Sequence, residues 1–73
     1  MEFKAQQELK KLKEEEKALR QIIYQLRNKL EYYVNAKNDD GINLVSKQIR
    51  LAENRIELIF TQKEKILIGR DKH

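Results

Sequence analysis

The chain has no cysteine, no proline and no tryptophan, and only two glycines and one histidine in 73 residues. Without cysteine it can build neither a disulfide framework nor a thiolate metal site, and its redox compartment is not written in its composition. Without proline, only Gly41 and Gly69 are left to punctuate the pattern, one in the interior and one near the end. Catalytic material is equally scarce. The one histidine, His73, is the last residue, and the hydroxyls are limited to Ser46, Thr61 and the tyrosines Tyr24, Tyr32 and Tyr33, with no base set beside any of them. Long apolar runs are missing too. Nothing approaches a membrane span, and Met1 through Glu8 lacks the apolar stretch of a signal peptide, so a soluble cytoplasmic protein is expected.

The acidic groups do not supply what the other residues lack. Glu14, Glu15 and Glu16 are consecutive, and on a helix they spread over roughly 200 degrees of the surface instead of converging on a cation. Asp39 and Asp40 are hard oxygen ligands without the further oxygens of a calcium loop, and they read better as caps of a helix. The expectation is a protein that is not an enzyme and that holds no metal and no cofactor.

What the chain does have is periodicity. Apolar residues make up 40% and charged residues 38%, a composition closer to long helices than to an ordinary globular core. In the first half Ala5, Leu9, Leu12, Glu16, Leu19, Ile23, Leu26, Leu30 and Tyr33 alternate in steps of four and three. Ile42, Val45, Ile49, Ala52, Ile56, Ile59, Lys63 and Ile66 keep the same rhythm in the second half. Both are helical seams of the coiled-coil kind.

If the chain doubles back, the two seams face each other in one register. Pairing Tyr33 with Val45, Leu26 with Ala52, Leu19 with Ile59 and Leu12 with Ile66 holds the sum of residue numbers at 78. Leu30 with Ile49, Ile23 with Ile56 and Glu16 with Lys63 hold it at 79. The main charged interruption of each stripe thus lands opposite the other. Glu16 and Lys63 are read as a register-setting pair, because any slip would leave one charge against leucine or isoleucine.

The fold class expected is therefore all-α, a single domain over residues 1–73 forming an antiparallel two-helix hairpin. Its first helix covers about 3–37, its turn 38–41, with Asp39 or Asp40 as N-cap, and its second helix about 42–68, closed by Gly69. One continuous helix in a parallel dimer is the alternative. Against it stand the run Asn38, Asp39, Asp40, Gly41, a poor helix interior, and Lys37 at a seam position that should be apolar.

Two helices cannot cover all the apolar surface present. Leu44, Leu51 and Leu58 recur every seven residues about 100 degrees around from the seam, and Phe60 and Leu67 lie on its other side. The first helix adds Ile22, Tyr24, Tyr32 and Val34. This surplus predicts self-association, two hairpins forming a four-helix bundle homodimer, or docking of another protein, with Leu44, Leu51, Leu58, Phe60, Tyr24 and Tyr32 as contact residues. The function expected is that of a small adaptor, inhibitor or regulator.

A second function class comes from the net charge of +4, through Lys10, Lys11, Lys13, Lys17, Lys47, Arg50 and Arg55, which could meet nucleic acid. The first four are interleaved with Glu8, Glu14, Glu15 and Glu16, the pattern of a solvated helix face, so protein binding is favoured.

A third comes from the stretch Leu26-Arg27-Asn28-Lys29-Leu30, the acidic turn, and Leu44-Val45-Ser46-Lys47-Gln48-Ile49-Arg50. In this organisation the chain resembles the small Spo0E-like aspartyl-phosphate phosphatases of spore-forming bacteria, short helical hairpins that dock on response regulators. Ser46 and Ile49 fit that family's signature, while Arg50 takes the place of its aspartate. The resemblance implies a response regulator as partner.

Overall fold

The computed structural model describes residues 2–71, with side chains from residue 3 to residue 69, and among them the chain forms two helices. Helix α1 spans Glu2–Asn35 and helix α2 spans Asp39–Asp71. At about 1.5 Å per residue each is about 50 Å long, matching the 55 Å long axis of a molecule only 15 and 11 Å across its other axes. The chain is an antiparallel helical hairpin.

The turn is tighter and earlier than 38–41. The amides of Lys37 and Asn38 donate back to the carbonyls of Val34 (3.1 Å) and Tyr33 (3.0 Å), the paired bonds of a Schellman motif. That motif needs a left-handed residue, and Lys37 supplies it with φ of 55°. Asn38 then serves both helices. Its Oδ1 accepts from the Gly41 amide at 3.1 Å and its carbonyl accepts from the Ile42 amide at 3.0 Å. The N-cap of α2 is therefore Asn38, not Asp39 or Asp40. Those two occupy the first turn, where their charge is favourable to the helix dipole.

The glycines also differ from expectation. Gly41 is a buried residue of the first turn of α2, not part of the loop. Gly69 does not stop the helix, which continues through it to Asp71; it has no positive φ, and a side chain there would meet open space.

The two seams pack as the register requires. Val45 and Ile59 are fully buried, and Ile23, Ile49 and Ala52 nearly so. Leu19, Leu26, Leu30, Tyr33 and Ile56 pack at their edges. The rest of both stripes, from Ala5 and Leu9 to Lys63 and Ile66, is half-buried. Among the described residues, the five buried apolar ones lie between Ile23 and Ile59 along the chain, so the seam is tightest toward the turn and looser toward the open end. Each deeply buried Val or Ile is worth about 1.5–3 kcal/mol, so these few residues carry much of the hydrophobic stabilisation.

Candidate interaction faces

Glu16 and Lys63 meet across the seam, Lys63 Nζ donating to Glu16 Oε2 at 3.2 Å, with each side chain 19% exposed. Arg20, one turn on, also donates to Glu16, at 3.3 Å. The two cations hold the Glu16 carboxyl below its ordinary range, Lys63 the most, while partial burial pushes the other way. The pair sits in the looser half of the seam, where water reaches both ends.

The seam divides the surface of the hairpin into two flanks, and the expected contact residues fall on both. On one flank Arg20, Tyr24 and Arg27 of α1 and Glu53, Asn54, Glu57 and Phe60 of α2 line a single groove floored by Ile23 and Ile56. The groove continues toward the turn past Leu30, Ser46, Ile49 and Arg50. Tyr24 and Phe60 are thus brought to one face.

Leu44, Leu51 and Leu58 are on the other. They are 58%, 64% and 56% exposed, an unusual state for leucine three times over in one row. Seven residues beyond Leu58 in that row is Lys65, which with Gln62 and Ile66 faces Glu8, Lys11, Leu12 and Glu15 of α1 across a second shallow groove. The rows of Lys11 and Glu15 contain Tyr32 and Ile22, also exposed. Tyr32 therefore belongs with the leucines. In an antiparallel seam each flank of one helix meets the like flank of the other, which sorts these rows without ambiguity.

The leucine flank carries an ion pair not anticipated from the sequence. Arg55 Nε donates to Glu15 Oε1 at 2.8 Å, and this raises the guanidinium's pKa still further. Its only sequence signal is that both residues flank the seam on the same side. The pair ties up one cation that the nucleic-acid reading would use. The other cations are dispersed: Lys11 lies on the leucine flank, whereas Arg50 lines the opposite groove. Ser46, the residue shared with the phosphatase-like signature, is exposed and lies beside Arg50 in that groove.

Near the turn, the Tyr33 ring is met edge-on by Tyr32, with centroids 5.8 Å apart at 64°, and by Lys29 Nζ 6.0 Å from its centroid. Among the described residues no group of His, Asp or Glu is placed to hold a metal ion, and no helix is long and apolar enough to cross a membrane. His73 lies outside the described residues. No protein family, no curated protein and no solved structure matches this chain.

Proposed function

We propose that this hairpin is a non-enzymatic, cytoplasmic interaction module that regulates or links another protein by docking it on the row Leu44, Leu51 and Leu58 with Tyr32 and Ile22 beside it. The observation that carries this reading is the exposure of that row: three leucines in line, all more than half exposed on a regular helix, with no contact inside the hairpin that requires them. Leucines at seven-residue spacing present a ridge that a partner helix can pack against, and the tyrosine supplies contact area with a polar tip at the rim.

Leu51, at the middle of the row, is the residue to test. Leu51→Glu should leave the far-UV circular dichroism of the hairpin unchanged and abolish retention of the protein that the wild-type chain captures, checked afterwards by titration with that protein in purified form. Equal binding by both chains would overturn the reading. If the captured material is instead nucleic acid, released steeply by salt, the basic side chains carry the function and the leucines do not. If it is a response regulator, the phosphatase-like resemblance gains its partner.

A further inference from the structure

We propose that the opposite flank, the groove of Tyr24 and Phe60, is covered by a second copy of this chain, whose α2 lies antiparallel on α1 with the two-fold axis running along the hairpin. The inference adds one named partner to the interaction-module reading above and uses a different face, so either can fail alone.

The charges on the two helices complement one another along this flank. Along the groove side of α1 the exposed residues run Lys17, Arg20, Tyr24, Arg27, Glu31. Along the groove side of α2, taken in the reverse direction, they run Glu64, Phe60, Glu57, Glu53, Arg50. The two rows are complementary at every step: Lys17 against Glu64, Arg20 against the Phe60 ring, the Tyr24 hydroxyl against Glu57, Arg27 against Glu53, and Glu31 against Arg50. Even the reversal of sign at the turn end is matched.

Within one hairpin this complementarity is largely unspent. Arg20 has turned to Glu16, and none of Lys17, Arg27, Glu31, Arg50, Glu53, Glu57 or Glu64 belongs to an ion pair among the described residues. Lys17, Tyr24 and Glu31 also lie one row further from the seam than Arg20 and Arg27, as do Glu64, Glu57 and Arg50 relative to Phe60 and Glu53. A row that far out does not reach its counterpart across its own seam, yet it meets the same row of a second copy placed on top.

The same charges choose the symmetry. A two-fold along the hairpin keeps every residue at its own height and sets α1 over α2, so each row meets its complement. A two-fold across the hairpin at the height of Tyr24 and Glu57 would set α1 over α1 and α2 over α2, each antiparallel to its copy; Lys17 would then meet Glu31 and Arg50 would meet Glu64, but Arg20 would meet Arg27 and Glu57 its own copy. Those like-charged contacts have no counterpart in the lengthwise arrangement, which is therefore the one the charges favour.

The hairpin also has surface to spare. The hairpin exposes 6296 Å² of surface, whereas a compact monomer of its 8.8 kDa exposes about 4800 Å². The excess of about 1500 Å² is roughly twice what one side of a standard interface buries, room for a second copy on one flank and another protein on the other.

Sedimentation of the wild-type chain should show a dimer that loosens as salt rises. Lys17→Glu with Arg27→Glu, or Glu53→Lys with Glu64→Lys, should each weaken self-association at least tenfold with helicity retained, and mixing the two variants should restore it. Because the chain has no cysteine, geometry can be read by new thiols: Lys17→Cys mixed with Glu64→Cys should cross-link between variants in preference to either alone. A monomeric wild type, indifference to all four charge reversals, or cross-linking only between identical sites would overturn the proposal. Dissociation by Leu51→Glu together with indifference to the charge reversals would place the second copy on the leucine row, overturning this inference and leaving the interaction-module reading to its own test.

Discussion

The ring of Tyr33 lies directly over Gly41, with its Cγ and Cδ1 2.7 Å and its Cδ2 2.9 Å from where a Cβ on that glycine would stand. The last turn of α1 thus closes onto the first turn of α2 through an aromatic face and bare backbone. The contacted atoms, Cγ and the two Cδ, lie at the root of the ring and not at the end of a flexible chain, so they can withdraw only by moving the whole side chain. Gly41→Ala should therefore destabilise the hairpin by about 1–3 kcal/mol through overpacking, outweighing the helix propensity of alanine, about 1 kcal/mol. In a Tyr33→Ala background the same change should become stabilising. Urea unfolding at one fixed protein concentration measures all four corners of this cycle, and a stabilising Gly41→Ala in the wild-type chain would refute the contact.

Lys37 makes the opposite case. It holds φ at 55° to complete the Schellman turn, a conformation that costs a side-chain-bearing residue roughly 1 kcal/mol and glycine almost nothing. Lys37→Gly should raise stability by about 0.5–1 kcal/mol, less whatever entropy the more flexible unfolded chain regains. Lys37→Val, β-branched and unsuited to positive φ, should lower it. Equal midpoints for the two variants would show that the turn does not depend on this dihedral.

The seam could be read from the sequence because its period is written in residue type: each apolar position from Leu9 to Ile66 that the heptads place inward is buried or half-buried. Glu16 opposite Lys63 followed from the same arithmetic. The turn was harder for a physical reason. Asn38, Asp39 and Asp40 are all good caps, and which one acts depends on where α1 stops, a point set by a lysine in a glycine-like conformation that no residue type announces. Gly41 then looked like the turn glycine, although its role is to admit an aromatic ring. The two flanks were legible as apolar surplus. That Tyr24 shares a groove with Phe60, and Tyr32 a flank with the leucines, required the direction in which like flanks meet.

The cap itself is open to a direct comparison. Asn38→Ala removes the side-chain acceptor of the Gly41 amide and should cost about 1 kcal/mol. Asp39→Ala or Asp40→Ala removes only a first-turn charge and should cost less, about 0.3–1 kcal/mol, with the effect fading in salt. If the aspartate variants prove the more damaging in thermal unfolding, the capping assignment is wrong.

The Glu16 and Lys63 pair should leave its mark in pH. Lys63 first and Arg20 second depress the Glu16 carboxyl in the folded chain, so folding favours its ionised form. A depressed folded value means that the stabilisation is present above the unfolded value, near 4.5, and is lost as pH falls through the lower folded value. Other carboxylates also titrate on the acid side, so the comparison that isolates this pair is between chains. Lys63→Met removes the larger of the two depressing partners, and its acid-side loss of stability should be smaller than that of wild type and be complete nearer the ordinary carboxylate value. Replacing both residues by leucine should abolish the difference altogether and give a hairpin at least as stable at neutral pH, because a charged pair drawn partly out of water is no better than apolar contact at a seam. What that double variant should lose is uniqueness. With apolar residues at every seam position, slipped and intermolecular pairings no longer strand a charge, and sedimentation should turn from one species to several. Superimposable acid profiles for wild type and Lys63→Met would show that the pair contributes nothing to folding, and a single sharp species for the double leucine chain would show that it does not set the register.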